Sequence, residues 1–226
     1  MSDNARSRIL ARLRAAAPGP VPPRPAWTPP TYLAEERRAR FIAMIEAAHA
    51  EVHEVDQTTW PVRLRSILAN KGVRRVMTAP TTAAGQQLAA VWADLADAPA
   101  LIAYDQPVEV LKPVLVRDVD AAVTMTRGAI AETGTLVLWP SPAEPRLMSL
   151  LPPIHVALVE EWRIADSLAA LMADESWAAA MPTNAVLISG PSKTADIEQT
   201  LAYGVHGPKE LIVLLVRDQE AGAAAV

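Results

Sequence analysis

The stretch AVLISGPSKTADIEQTLAYGVHGP, residues 185–208, decides the fold and carries most of the functional argument. Its apolar start, residues 185–188, predicts a buried parallel strand, and residues 189–192 are typical of a turn. Residues 193–203 predict a helix that ends at Gly204. A parallel strand, a small-residue turn and a helix in this order are typical of the ligand-binding edges of open α/β sheets.

The turn after this strand offers groups that would hold an anion. Hydroxyls, the free amides of a helix start and the ammonium group of Lys193 favour a phosphate or a carboxylate. A nucleotide-binding P-loop, G-x-x-x-x-G-K-[ST], is excluded, because Ser192 and not glycine precedes Lys193, and residues 185 and 187 are not glycine either. Asp196 would oppose a second negative charge and would instead bind a hydroxyl or hold the loop. The candidate ligand-binding residues here are Ser189, Gly190, Ser192, Lys193, Thr194 and Asp196.

His206 lies in a second tight turn, VHGP, just before the apolar run at residues 211–216. A titratable side chain on a rigid turn would serve as a general base or a hydrogen-bond donor, with Gly207 beside the ligand. The alternative is a turn histidine that is bonded to the backbone. His155 lies inside another apolar run, and we expect it to be a core residue with satisfied hydrogen bonds; the alternative is a ligand or a base.

A third group of polar residues surrounds Glu132. The sequence places its carboxylate beside Thr133, Gly134 and Thr135, directly before the apolar run at residues 136–139. Glu132 would act as an acid or a nucleophile, or the group would bind a ligand. The alternative is that Glu132 caps a backbone turn while the threonines satisfy loop amides.

The composition excludes several classes of protein. The chain has 226 residues, 51 % of them apolar, a net charge of −4 and no cysteine. The charge and the scarce aromatics argue against binding to nucleic acid. Without cysteine, the chain cannot hold a thiolate-bound metal or iron–sulfur cluster, and we expect no metal at the His49 and His53 pair. No secretory signal and no membrane-spanning run is evident, so we expect a cytoplasmic protein.

The order of predicted elements indicates an α/β domain over residues 31–226. Apolar runs predict strands that alternate with amphipathic helices, which implies a mainly parallel sheet flanked by helices. Residues 1–30 predict an amphipathic helix followed by a proline-rich arm; that helix would pack on its own domain, on a second copy of the chain or on a partner. Besides residues 185–188, the predicted strands lie at residues 51–55, 73–77, 101–104, 136–139, 154–159 and 211–216, and the predicted helices at residues 31–50, 60–70, 85–95 and 163–173. Residues 121–126 would form a strand or a helix, and their β-branched side chains favour a strand.

Four segments resemble the LUD-domain family, in its lactate utilisation protein C group, over about residues 30–217. They are AETGTLVL at 131–138, LLPPIHVALV at 150–159, ISGPSKTADIE at 188–198 and GVHGP at 204–208. The resemblance implies a fold similar to NagB/RpiA/CoA-transferase-like sheets. It also implies a role in oxidising L-lactate to pyruvate beside two partner proteins that carry iron–sulfur clusters. Lys193 departs from the arginine expected at that position, which removes a bidentate donor.

Three functions follow as hypotheses. The first is a non-redox component of an L-lactate utilisation system that binds a small anionic ligand at the turns of Glu132 and of residues 189–196. The second is a stand-alone enzyme similar to CoA-transferases or phosphosugar isomerases, using Glu132 or His206. The third is a structural adaptor that acts through its N-terminal helix.

Overall fold

A computed structural model describes residues 3–16, 19, 23, 28–195 and 201–217. The helices among them are α1 Asp3–Ala15, α2 Ala34–Ala47, α3 Trp60–Asn70, α4 Ala83–Trp92, α5 Val108–Arg117 and α6 Leu168–Asp174. The strands are β1 Glu51–Asp56, β2 Arg75–Thr78, β3 Ala100–Ala103, β4 Ala121–Met125, β5 Gly128–Ile130, β6 Thr135–Leu138, β7 Ile154–Glu160, β8 Ile164–Ala165, β9 Val186–Ile188, β10 Lys193–Ala195, β11 Leu201–Tyr203 and β12 Glu210–Arg217.

The central sheet consists of parallel strands in the order β1-β12-β7-β4-β2-β3. Its interior strand β12 is apolar on both faces, with residues 211–216 all buried. Such a continuous run of Leu, Ile and Val is typical of a strand that is covered on both sides. The sequence-based prediction of a mainly parallel sheet flanked by helices is therefore confirmed.

Alternate side chains of the central strands enter different cores, because successive residues of a strand face opposite sides. On one side, Leu214 of β12 packs with Leu64 of α3 and Leu88 of α4. On the other side, Val213 packs with Ile45 of α2 and with β6. Helix α5, which the sequence analysis left unassigned, packs on β2 and β4 on the same side of the sheet as α2.

A second, smaller sheet has the order β8-β5-β6-β9, and its pairs β5–β6 and β6–β9 are antiparallel. This arrangement corrects the prediction for residues 185–188. They were expected to form a buried parallel strand, but β9 is an antiparallel edge strand, and Leu187 is 48 % exposed. The helix predicted at residues 163–173 is also shorter than expected, since Ile164 and Ala165 form β8 and Ser167 caps α6.

The helix predicted over residues 193–203 is wrong. Strands β10 and β11 pair antiparallel, with Lys193 opposite Tyr203. The base of this hairpin is held by two backbone hydrogen bonds: Ser192 N donates to Pro208 O at 2.9 Å, and Gly204 N donates to Ser192 O at 2.9 Å. The free amides expected from a helix start therefore do not exist at this turn. Asp196 lies outside the described residues.

Candidate functional site

A pocket of about 160 Å³ lies at the amino edge of the central sheet, where β7 and β12 begin side by side. Open α/β sheets usually bind ligands at the opposite, carboxyl edge. In this protein the pocket lies at the amino edge because the turn after β9 and the turn before β12 both pass over that edge and form its walls. The lining residues are Ser149, Leu150, His155, Ile188, Gly190, Pro191, Ser192, His206, Gly207, Pro208 and Leu211.

The walls of this pocket come from loops that meet closely. Besides the bond between Ser192 N and Pro208 O, the loops touch at Gly207, where a Cβ atom would lie 3.0 Å from Cβ of Ser192 and 3.3 Å from its hydroxyl. Gly207 therefore lets the two turns approach each other. The structure thus brings together Gly190, Ser192, His206 and Gly207, which the sequence analysis had proposed as site residues.

His155 forms the inner wall of the pocket and is 1 % exposed. Its Nε2 atom lies 2.9 Å from Oγ1 of Thr124, whereas its buried Nδ1 atom has no hydrogen-bond partner among the described residues. Burial disfavours the charged imidazolium and lowers the pKa of His155 to about 4, so the ring is neutral at pH 7. The expected burial of His155 is confirmed, whereas the expectation that its hydrogen bonds are satisfied is wrong for Nδ1.

The sequence analysis did not place His155 in the site. The signal that could have found it is Pro152-Pro153 directly before residue 154. Two prolines end the loop, so the histidine is the second residue of β7 and lies at the rim of the sheet instead of in the middle of a strand. His206 differs from it in being exposed, on the loop that enters β12.

A chain of hydroxyl groups links the turn of Glu132 to the turn after β9. Thr135 Oγ1 lies 2.8 Å from Ser189 Oγ and 2.7 Å from Thr133 Oγ1. The link follows from the pairing of β6 with β9, in which Leu136 stands opposite Ile188. The two turns are therefore neighbours, although these hydroxyls already bond to one another.

Helix α2 packs on both turns and explains their glycines. Gly134 has φ +61°, and a Cβ atom there would lie 2.5 Å from Ile45 N. A Cβ atom on Gly190 would lie 2.7 Å from Ala48 O, just after the end of α2. Close packing against a helix backbone thus requires both glycines.

Glu132 is not among the described residues that line the pocket. Its backbone N–H donates to Asp166 O at 3.0 Å, and its carbonyl accepts from Arg40 at 3.3 Å. The structure therefore places the glutamate in a half-buried turn outside the pocket. Lys193 and Thr194 lie on β10 and are also absent from the described lining.

A second concave region, of about 230 Å³, is rich in arginine but offers less to an anion. The guanidinium groups of Arg37, Arg127 and Arg163 are each paired with a carboxylate, so an incoming anion would have to displace these partners. The ion pairs are Arg37–Asp166, Arg127–Glu175 and Arg163–Glu160.

Glu144 is a second, partly buried titratable group near Thr124, at the carboxyl end of β4. Both of its carboxylate oxygens accept from Met125 N at 3.3 Å. Burial raises the pKa of Glu144 to about 7, and the hydrogen bond from Met125 opposes this only in part.

Within the described part of the chain, no three His, Asp or Glu side chains are grouped as metal ligands, and none of the described helices is long and apolar enough to cross a membrane.

The fold and the pocket define an α/β protein whose candidate site lies at the amino edge of a parallel sheet. The family model of the LUD domain matches residues 38–216, so the chain belongs to the LUD-domain family. An uncharacterized protein of Neisseria meningitidis serogroup B is 34 % identical over 223 residues, which is 94 % of each chain.

Other relatives match over a shorter segment. A lactate utilization protein C from an Exiguobacterium species is 37 % identical over 106 residues, and its counterpart in Macrococcus caseolyticus is 36 % identical over 107 residues. Each match covers 44 % of this chain and 45 % of the relative. The crystal structure of a DUF162 family protein from Deinococcus radiodurans superposes with a TM-score of 0.60 at 25 % identity, covering 82 % of this chain and 99 % of that chain.

Proposed function

We propose that this chain is a component of a lactate utilisation system, carries no redox centre of its own and binds a small organic anion in the amino-edge pocket. The observation that carries the proposal is the composition of the pocket wall. All but two of its described residues come from three of the four segments on which the family resemblance rests, at 150–159, 188–198 and 204–208; the exceptions are Ser149, directly before the first segment, and Leu211 on β12. Relatives named lactate utilization protein C support the choice of system.

The size and polarity of the pocket suit a short acid. A volume of about 160 Å³ is smaller than the roughly 300–1,000 Å³ of pockets that hold drug-sized ligands, so it favours a small ligand. Among the described lining residues, none carries a carboxylate that would repel an anion. Ser192 and His206 supply polar groups at the rim, and Leu150, Ile188 and Leu211 supply an apolar wall.

The proposal includes partners. The sequence has no cysteine, so the electrons released by lactate oxidation would pass to separate proteins that hold iron–sulfur clusters. An enzyme that uses Glu132 as a nucleophile would need a different site, because the described pocket lining does not include this residue. We therefore rank the Glu132-dependent alternative below the binding component.

The experiment is a thermal-shift titration of the purified chain with L-lactate, pyruvate, propionate, glucose 6-phosphate and coenzyme A. The wild type is compared with Ser192→Ala, with His206→Ala and with the matched control Glu132→Gln. We expect a short carboxylate at a hundred times its Kd to stabilise the fold by about 2.7 kcal/mol. The stabilisation should fall in the two pocket variants and persist in Glu132→Gln. No stabilisation by any short acid, or its loss in Glu132→Gln alone, would overturn the proposed site.

A further inference from the structure

The hydrogen bonds around His155 are incomplete in a way that points to a ligand. Thr124 and His155 are both buried, at 3 % and 1 % exposure, and they bond to each other through Oγ1 and Nε2. Buried polar atoms in native proteins are almost always paired, so the unpaired Nδ1 atom of a pocket-lining ring requires an explanation.

Counting protons decides which tautomer the ring adopts. A neutral imidazole carries one N–H, and a threonine hydroxyl carries one O–H. If His155 donated from Nε2, the hydroxyl proton of Thr124 would lack an acceptor among the described residues, and Nδ1 would be a second unsatisfied atom. If Thr124 donates to Nε2, only the Nδ1–H group is left without a partner. The second arrangement leaves fewer buried groups unsatisfied.

We infer that His155 is a ligand-binding residue of the amino-edge pocket, and that Thr124 fixes its tautomer so that Nδ1–H donates to an oxygen of the ligand. This inference rests on the proposed function and deepens it. Thr124 is a positioning residue, because it acts through His155. The pair is held in place by β4 and β7, which are neighbouring interior strands in the order of the central sheet.

The arrangement also limits the class of ligand. An Nδ1–H group donates and does not accept, so its partner is a carboxylate, carbonyl or hydroxyl oxygen. Ser192 and His206 lie on the same pocket and would meet two further oxygens. Three polar side chains around so small a volume suit a short carboxylic acid that carries another oxygen on the adjacent carbon. A site with a buried donor rejects an analogue that lacks the matching acceptor, because the donor is then left unpaired.

The tautomer is tested first, in the full chain and without ligand. Long-range ¹H–¹⁵N spectra distinguish a protonated Nδ1 from a protonated Nε2. The sequence has four histidines, so the His155 signals are identified by their loss in His155→Asn. We expect protonated Nδ1 and bare Nε2 in the wild type and in Thr124→Ser, and a mixture of tautomers in Thr124→Val. An Nε2–H tautomer in the wild type would overturn the inference.

Binding is tested with pyruvate and L-lactate as probes and with propionate as the analogue lacking the second oxygen. The amide of His155→Asn lies near the position of Nδ1, whereas that of His155→Gln lies near Nε2. We therefore expect His155→Asn to retain binding within about tenfold and His155→Gln to lose at least that much, and propionate to bind the wild type at least tenfold more weakly than pyruvate. Equal binding by the two variants contradicts the inference. If they fail to fold, Thr124→Val decides: unchanged pyruvate affinity contradicts it.

The two proposals fail in different ways. If no short acid stabilises the wild type, the proposed function fails, whatever the tautomer. If an acid binds but the ring carries its proton on Nε2, the proposed function stands and the role of His155 is wrong.

Discussion

Gly134 is required for packing against α2 and not for the approach of a ligand, although the sequence around it resembles a binding turn. It lies between two threonines beside Glu132, in a pattern typical of a binding turn. The structure instead presses it against the backbone of α2, with a positive φ angle. The same helix contacts the position of Gly190, so the two turns near the pocket depend on one helix for their placement.

Replacing Gly134 with alanine should destabilise the fold by more than its backbone angle alone explains. Gly72 is the matched control, because its φ is +70° but a Cβ atom there meets nothing within 4 Å. A left-handed alanine costs roughly 1–2 kcal/mol, so we expect about that loss in Gly72→Ala. Gly134→Ala should lose at least about 1 kcal/mol more, because Cβ would lie 2.5 Å from Ile45 N. Urea unfolding measures both, and equal losses would show that α2 yields without cost.

The strands of the central sheet and their parallel pairing could be predicted from the sequence, whereas the pairing of the strands in the second sheet could not. Residues 154–159 and 211–216 are long apolar runs with no polar alternation, which is typical of buried parallel strands. Strands β5, β6 and β9 have three or four residues each and a similar composition. Nothing in so short a run specifies whether its partner is parallel or antiparallel, so their separate sheet was not foreseen.

The hairpin of β10 and β11 was mispredicted for a related reason. Residues 193–203 include Lys, Glu, Gln and Leu, which all favour a helix. Tertiary contacts override this preference, because Ser192 bonds to Pro208 and to Gly204 and thereby draws the two ends of the segment together. The candidate site residues at these ends, Ser192 and His206, were proposed from local turn chemistry, and both line the described pocket. His155 was not proposed, because its place in the pocket wall depends on which edge of the sheet it occupies.

Truncating the interior strand β12 should be far more costly than truncating the edge strand β9. Leu214 is fully buried between β1 and β7 and packs against α3 and α4, so Leu214→Ala leaves a cavity. We expect a loss of about 2–5 kcal/mol in the free energy of unfolding. Leu187→Ala, in β9, removes a half-exposed side chain and should cost less than about 1 kcal/mol. Chemical denaturation measures both, and similar losses would contradict the interior position of β12.

At the scale of the whole molecule, the exposed basic helix α1 is separate from the α/β core. Ile9 and Leu13 of α1 are 59 % and 67 % exposed, and none of the described core clusters includes a residue of α1. The helix also carries Arg6, Arg8, Arg12 and Arg14. The core should therefore fold without it, which separates the adaptor hypothesis from the binding hypothesis.

Removal of residues 1–16 should leave the free energy of unfolding of the core unchanged, within about 0.5 kcal/mol, because surface positions contribute little. The measurement is urea unfolding of the truncated and full-length chains, together with the thermal shift produced by pyruvate. A retained shift is expected from the pocket described above. If truncation lowers the stability of the core, α1 packs on the core in solution. A separate co-purification with iron–sulfur proteins tests the adaptor hypothesis: if truncation abolishes only this association, α1 is the docking element.

The dependence of stability on pH combines a buried histidine and a partly buried glutamate, which have opposite effects. The pKa of His155 is lowered to about 4 in the fold, so the unfolded chain binds the extra proton between pH 6.5 and 4, and stability falls as the pH is lowered. The pKa of Glu144 is raised to about 7, so the folded chain keeps a proton that the unfolded chain releases above pH 4.5. Stability from Glu144 therefore falls as the pH rises. Between pH 4.5 and 6.5, the two contributions largely cancel.

Glu144→Gln should remove this cancellation, because glutamine resembles the protonated carboxyl and keeps an acceptor for Met125 N. Near pH 4.5 the variant should match the wild type. By pH 8 it should be more stable by up to about 3 kcal/mol, since the wild type must then bury a carboxylate. The stability of the variant should rise from pH 4 to 6.5, the window in which the unfolded chain protonates His155. Urea unfolding at each pH measures this, with Glu46→Gln on the exposed surface of α2 as the control for a lost charge. A difference that does not change with pH would show that water solvates Glu144 and that the space beside Thr124 is open to solvent.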